Sequence, residues 1–208
     1  MRFLTTIILL TIFLTTQGQT NGDTTNFISE IPTWGDGRPD LFFSLDQQKG
    51  KQLSLEDLQT GFDSLQIRIW YDYSLFSFRE LLVISRTSST WTASIYTLTV
   101  DWDASNLTET VKTKKHRTAN PKNGWDNFIK NLIALQIMTL PNMHDIPGLH
   151  DGWTDGITYN VEVATKNIYR FYGYHLPDKF QDKYWQAKNM VDILKLVEKE
   201  FGIKCNCK

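Results

Sequence analysis

A chain of 208 residues with 41% hydrophobic and 22% charged residues is long enough to bury a sizeable core and has the composition of one ordinary globular domain. Its formal net charge of -1 and pI near 6.4 exclude a long-range field that would draw the whole molecule onto nucleic acid or an anionic membrane.

The amino terminus sets the compartment. Arg2 precedes an apolar run over 3–14 that only Thr5, Thr6 and Thr11 interrupt, and small or polar residues follow. Residues 1–18 read as a signal peptide, with cleavage after Gly18 and Thr16 at the −3 position. The run is too short to span a bilayer comfortably, and no cysteine lies near the cleavage point to carry a lipid. The expected product is exported, periplasmic or extracellular, with no transmembrane anchor after cleavage. The only cysteines, Cys205 and Cys207, lie in a tail over 205–208, where a bridge between them would close a very small ring and stabilise little.

Residues 19–50 are polar and turn-rich around Trp34-Gly-Asp-Gly-Arg-Pro-Asp40 and read as irregular chain, with the folded domain expected over 51–204. Ser54 is placed to cap a helix, with Asp57 three residues on, a Leu53/Leu58 staple and Gly61 as its stop. Four β-rich runs follow, over 66–71, 79–86, 91–102 and 110–118, with short polar breaks that suit an antiparallel meander. Leu65, Ile67, Ile69 and Tyr71 share one face of the first; Tyr96, Leu98, Val100 and Trp102 share one face of the third.

A second helix is expected from Asn123 as cap, with Asp126 in its first turn. Its apolar half over 132–138 has no polar face and predicts burial on several sides. Residues 155–175 alternate as a hairpin with its break at Thr165-Lys166-Asn167, and Ile157, Tyr159, Val161 and Val163 form its apolar row. Over 181–201, Tyr184, Ala187, Met190, Val191, Leu194, Val197 and Phe201 form one helical stripe that Gly202 terminates. The fold class is therefore α+β: a single antiparallel β-sheet, meander plus C-terminal hairpin, packed by a buried central helix and a C-terminal amphipathic helix.

The densest group of reactive side chains is the Pro/Gly-rich segment over 143–156. His144, His150, Asp151 and Asp155 are suitable oxygen and nitrogen ligands for zinc or, through the carboxylates, calcium. No His-Glu-x-x-His spacing preorganises them, and Asp-Gly is also what a turn into a strand requires. Asp101-Trp102-Asp103-Ala104-Ser105-Asn106 fails as a calcium loop, because Asn106 stands where Gly is needed and Lys112 where a bidentate acid is needed. Lys112, Lys114, Lys115, His116 and Arg117 form a basic run that suits an edge strand. Asn106-Leu107-Thr108 is a glycosylation sequon. Trp153, Tyr172, Tyr174, His175 and Trp185 are the aromatic and polar side chains that could present a binding surface. Nucleophile-elbow, P-loop and dinucleotide glycine patterns are absent.

The combination of a signal peptide with Ile67-Arg68-Ile69-Trp70, Asp155-Gly156-Ile157-Thr158-Tyr159-Asn160-Val161-Glu162, Tyr169-Arg170-Phe171-Tyr172 and a terminal Glu198-Lys199-Glu200-Phe201-Gly202 resembles small exported proteins of unknown function from Bacteroidetes-type bacteria. That likeness is to a fold and carries no catalytic residue across. The expected function is a non-enzymatic binding or interaction module for an extracytoplasmic protein, peptide or glycan, without a cofactor. The alternatives are a metal-assisted hydrolase built on the His144 to Asp155 loop, with zinc or calcium, and an inhibitor or immunity-type protein.

Overall fold

Alternating residues on two neighbouring strands give the sheet two covered faces, and helices close both. The computed structural model describes residues 26–73, 76–149 and 155–204. Seven strands, β1 (Ile28–Glu30), β2 (Leu65–Tyr73), β3 (Phe78–Thr87), β4 (Thr90–Asp103), β5 (Thr108–Ala119), β6 (Ile157–Thr165) and β7 (Ile168–His175), form one sheet in the order β1-β7-β6-β2-β3-β4-β5. Every pairing is antiparallel except β1 with β7, which is parallel. The sheet is thus predominantly antiparallel and the fold α+β, but the purely antiparallel expectation is corrected by β1. That short strand comes from a segment too polar and turn-rich to read as strand, and it is held to β7 by the Glu30–Arg170 pair.

One face carries the main core. Ile67, Ile69 and Tyr71 of β2 share it with Leu82 and Ile84 of β3 and Val161 and Val163 of β6. Helices α2 (Trp125–Ala134) and α3 (Trp185–Phe201) cover it through Phe128, Leu132, Met190, Leu194 and Phe201. The stripe expected on α3 is buried from Ala187 to Phe201, and Gly202 ends the helix in the left-handed region at φ 76°.

Helix α2 differs from expectation at both ends. Its cap is Gly124, since Asn123 is diverted to Glu200, whose carboxylate accepts from the Asn123 amide N–H at 2.8 Å and Nδ2 at 2.6 Å. The helix stops at Ala134, two residues before Gln136 takes φ 63°. The apolar 132–138 run is therefore a helix end and turn: Leu132 and Ile137 are buried, while Ile133 is 53% exposed.

The opposite face is covered by a helix that the sequence reading placed in irregular chain. Helix α1 (Leu41–Gln52) begins at Asp40, whose side chain accepts from the Phe42 and Phe43 amides at 2.8 and 3.3 Å. The helix expected from Ser54 does not form. Leu53 caps the end of α1, Ser54 turns out of it at φ 58°, and the chain then runs irregularly to Gly61. At the α1 carboxyl end Gln52 grips β5, its Nε2 donating to the Glu109 carbonyl at 2.8 Å and its Oε1 accepting from the Val111 amide at 2.7 Å. This binds helix to strand beside the bulge in the β4–β5 ladder.

Strand β5 is the far edge of the sheet, so the basic run lies on an edge strand, as lysines that oppose edge-to-edge pairing should. Asp103 accepts from the Ser105 amide and Asn106 Nδ2 at 2.9 and 2.7 Å, which makes the rejected calcium loop a β4–β5 turn. No helix among the described residues is long and apolar enough to cross a membrane.

Candidate functional site: a cleft with an ionic floor

On the α1 side of the sheet, two small apolar clusters flank a strip of buried charge. One cluster joins Leu53, Trp70, Leu81, Val83, Leu98 and Val100; the other joins Phe43, Leu58, Ala164, Tyr169 and Phe171. Alongside them lie Asp46 and Lys49 of α1, Asp72 of β2, Arg79 of β3, Glu109 of β5, and Asn160 and Glu162 of β6, all buried. Five segments distant in sequence supply this strip, so it exists only in the folded chain.

Lys49 is the hub. Its Nζ stands 2.9 Å from Asp46 Oδ1, 3.0 Å from Asp72 Oδ1 and 2.7 Å from Glu109 Oε2; it donates hydrogen bonds to Asp72 and Glu109 and meets Asp46 as an ion pair. Burial alone pulls the Lys49 ammonium toward a lower pKa, but Asp46, Asp72 and Glu109 outweigh it and the net shift is upward. Lys49 therefore keeps its charge across the physiological range and is neither a general base nor an amine nucleophile.

Arg79 is equally committed. Its Nε lies 3.0 Å from Asp72 Oδ1, its Nη2 donates to Glu109, and its Nη1 reaches the carbonyls of Tyr73, Phe76 and Phe78. Asn160 Nδ2 bridges Asp46 Oδ2 and Asp72 Oδ2 at 2.9 and 3.0 Å. Burial and the neighbouring Asp72 carboxylate push Asp46 upward against the pull of Lys49.

A second node adjoins the first. Glu162 accepts from Trp70 Nε1 at 2.8 Å and from Tyr169 OH and Gln47 Nε2, both at 2.9 Å, with Arg68 Nη1 at 3.7 Å. Burial and then the Glu162 carboxylate hold the Tyr169 phenol protonated far above its ordinary range.

The strip is not sealed. A cleft of ≈ 910 Å³ opens over Lys49, Asp72, Arg79 and Glu109, between the start of α1 and the end of the sheet that carries the β2–β3 and β4–β5 connections. Leu41, Phe42, Leu45 and Val100 line its walls; Phe76 and Trp102, 65% and 48% exposed, stand at its mouth with Asp101 and Asp155. Buried charge thus lies below and exposed rings above, in a concave site with apolar walls.

The residues singled out from the sequence are dispersed. His150, Asp151 and Trp153 lie outside the described residues, as do the signal segment and both cysteines. His144 lines a separate hollow of ≈ 420 Å³ with Asp40 and Arg170, whereas Asp155 lines the main cleft. Among the described residues no three of His, Cys, Asp and Glu are grouped to hold a metal ion.

Tyr172 and Tyr174 are core side chains. Their rings are buried and their hydroxyls donate to the carbonyls of Ile137 and Pro141 at 2.7 and 2.9 Å, so neither offers a surface platform. His175 Nδ1 is 3.0 Å from Thr158 Oγ1. Trp185 is exposed at the start of α3, as expected, and does not line the cleft.

Sequence reasoning missed Lys49, Asp72, Arg79, Glu109 and Phe76. One signal was present: the row of β2 that alternates with Ile67, Ile69 and Tyr71 contains Trp70 between Arg68 and Asp72, and in the fold Arg68 lies opposite Glu162 and Trp70 opposite Asn160. A large ring inside a charged row marks a covered face. Comparison of the chain with protein-family models, with curated proteins and with solved structures returned no match.

Proposed function

We propose that the chain is an exported, non-enzymatic binding module that receives an extracytoplasmic peptide, protein segment or glycan in the cleft between α1 and the sheet. The observation that carries this reading is the contrast within one cleft: the cations of its floor, Lys49 and Arg79, are engaged by protein oxygens, while Phe76 and Trp102 stand exposed at its mouth. The committed cations of the floor offer no poised base or nucleophile, and aromatic rings are enriched where binding surfaces hold ligands. Export is supported by the signal-like residues 1–18.

The test is to follow backbone amide resonances while a panel of peptides and oligosaccharides is added. Binding that shifts the amides around Phe76 and Trp102, and that Trp102→Ala weakens without lowering the unfolding midpoint, is the expected result. A reproducible hydrolytic turnover abolished by His150→Ala would overturn the non-enzymatic reading.

A further inference from the structure

The same cleft also discriminates by charge, and this inference rests on its being the binding site. Its charged lining comprises two cations, Lys49 and Arg79, against four carboxylates, Asp72, Asp101, Glu109 and Asp155. Widening the circle to Asp46, behind Lys49, and Lys112, which pairs with Asp101 at 2.9 Å, gives three cations against five carboxylates. The excess is negative in either tally, and it persists if Asp46 holds a proton.

Donor and acceptor capacity point the same way. Lys49 Nζ has three carboxylates within 3.0 Å, and Arg79 pairs with Asp72 and Glu109 and donates through Nη1 to backbone carbonyls, which leaves Nε as its one nitrogen without an aligned acceptor. The floor cations are thus poor partners for an incoming anion. An ionised carboxyl has about four lone-pair sites, so Asp72 and Glu109 keep acceptor capacity after binding Lys49 and Arg79, and Asp101 and Asp155 add more at the mouth. A ligand entering here meets acceptors and the faces of two exposed rings, a combination that favours a cation over a neutral group and opposes an anion.

We infer that the cleft selects a ligand bearing a primary ammonium or guanidinium on a short apolar stem, the chemistry of a basic side chain in an extracytoplasmic peptide. The stem lies along Leu41, Phe42 and Val100, and the charged head sits between Asp101, Asp155 and the rings of Phe76 and Trp102.

The experiment uses three probes of nearly equal shape and different charge: n-butylammonium, 1-butanol and butyrate. Each is titrated into the purified protein at low salt while cleft amide resonances are followed. Butylammonium should bind roughly 3- to 10-fold tighter than butanol, the range expected of one exposed ion pair with one cation–π contact. Butyrate should bind more weakly than butanol, and the preference for butylammonium should shrink as salt is raised.

The double variant Asp101→Asn/Asp155→Asn, made at exposed positions, should bring the ratio of butylammonium to butanol affinity close to one. Butanol or butyrate binding as tightly as butylammonium overturns the inference. If neutral oligosaccharides or peptides shift the cleft amides and butylammonium does not, the charge selection fails and the binding module stands. If no probe, peptide or oligosaccharide shifts them, both fail.

Discussion

Removing the Lys49 ammonium while keeping its length tests the ionic floor directly. In Lys49→Met the unbranched stem remains beside Trp70, whose ring centroid is 5.5 Å from Nζ, so the packing loss is small. The electrostatic loss is large. Asp46, Asp72 and Glu109 are left with Arg79 as the one cation contacting two of them, and Asp46, fully buried, keeps only the Asn160 amide. Breaking a buried ion pair by deleting one partner costs about 3–5 kcal/mol. Against a typical total of about 5–15 kcal/mol this brings the variant close to the threshold of folding. With a urea slope of about 2 kcal/mol/M, the midpoint should fall by roughly 1.5–2.5 M.

The pH dependence separates this cause from simple loss of packing. Burial and the Asp72 carboxylate raise Asp46, and removing Lys49 removes the pull that opposes them, so in the variant the folded state binds more protons at Asp46 than the unfolded state in the range above the ordinary carboxyl value of about 3.9. The variant then gains stability as pH falls from 7 toward 5. The gap to the parent should be widest at pH 7 and narrower at pH 5, measured by urea unfolding followed by tryptophan fluorescence. A loss below about 1 kcal/mol, or a gap equal at both pH values, would refute the account of the floor.

In the parent protein, Lys49 and the buried phenols of Tyr71, Tyr169 and Tyr172 are all shifted upward, so the unfolded chain releases their protons first as pH rises. Stability from these groups is complete below about pH 10 and should fall above it, faster than in Lys49→Met, and parallel alkaline unfolding curves for the two would count against the shift of Lys49. The Tyr71 hydroxyl is buried with no hydrogen-bond partner among the described residues, so Tyr71→Phe should be neutral or stabilise by up to about 1 kcal/mol; a loss above that would place a partner on it. Gly61 holds φ 98°, and an added Cβ would lie 2.9 Å from the Lys166 carbonyl oxygen. Gly61→Ala should therefore lower stability by about 1–3 kcal/mol, seen as a lower thermal midpoint, and an unchanged midpoint would mean that the 61–62 and 165–166 segments do not meet. A chelator should leave the thermal midpoint unmoved; a drop that zinc restores would identify metal binding and turn attention back to His144 and His150.

How far the fold could be read in advance depended on which side of the sheet a residue faces. The main core was legible because Ile67, Ile69, Tyr71, Val161 and Val163 alternate with polar residues, and because the α3 stripe from Ala187 to Phe201 repeats at helical spacing. The other face was illegible for the same reason. Gln66, Arg68, Asp72, Asn160 and Glu162 alternate as solvent-facing residues do, and nothing in strand periodicity distinguishes a polar row facing water from one facing a polar helix. Helix α1 is such a helix: its sheet-facing residues include Asp46, Lys49 and Gly50 as well as Phe43 and Leu45, so no apolar stripe announced it. Asp40 was a usable cap signal, but Ser54 with its Leu53/Leu58 pair matched the sequence grammar better and drew the helix to the wrong side of the turn. The candidate site inherits this blindness. Lys49 and Glu109 are ordinary surface residues in the sequence, and they become a site only when α1 lies across the sheet and brings the ammonium 2.7 Å from the carboxylate. Charge that is costly to bury survives there because Asp46, Lys49, Asp72, Arg79 and Glu109 each have an opposite charge within 3.0 Å, and the same pairing shapes the cleft's preference: cations already held by the fold leave carboxylate acceptors and exposed rings to meet whatever enters.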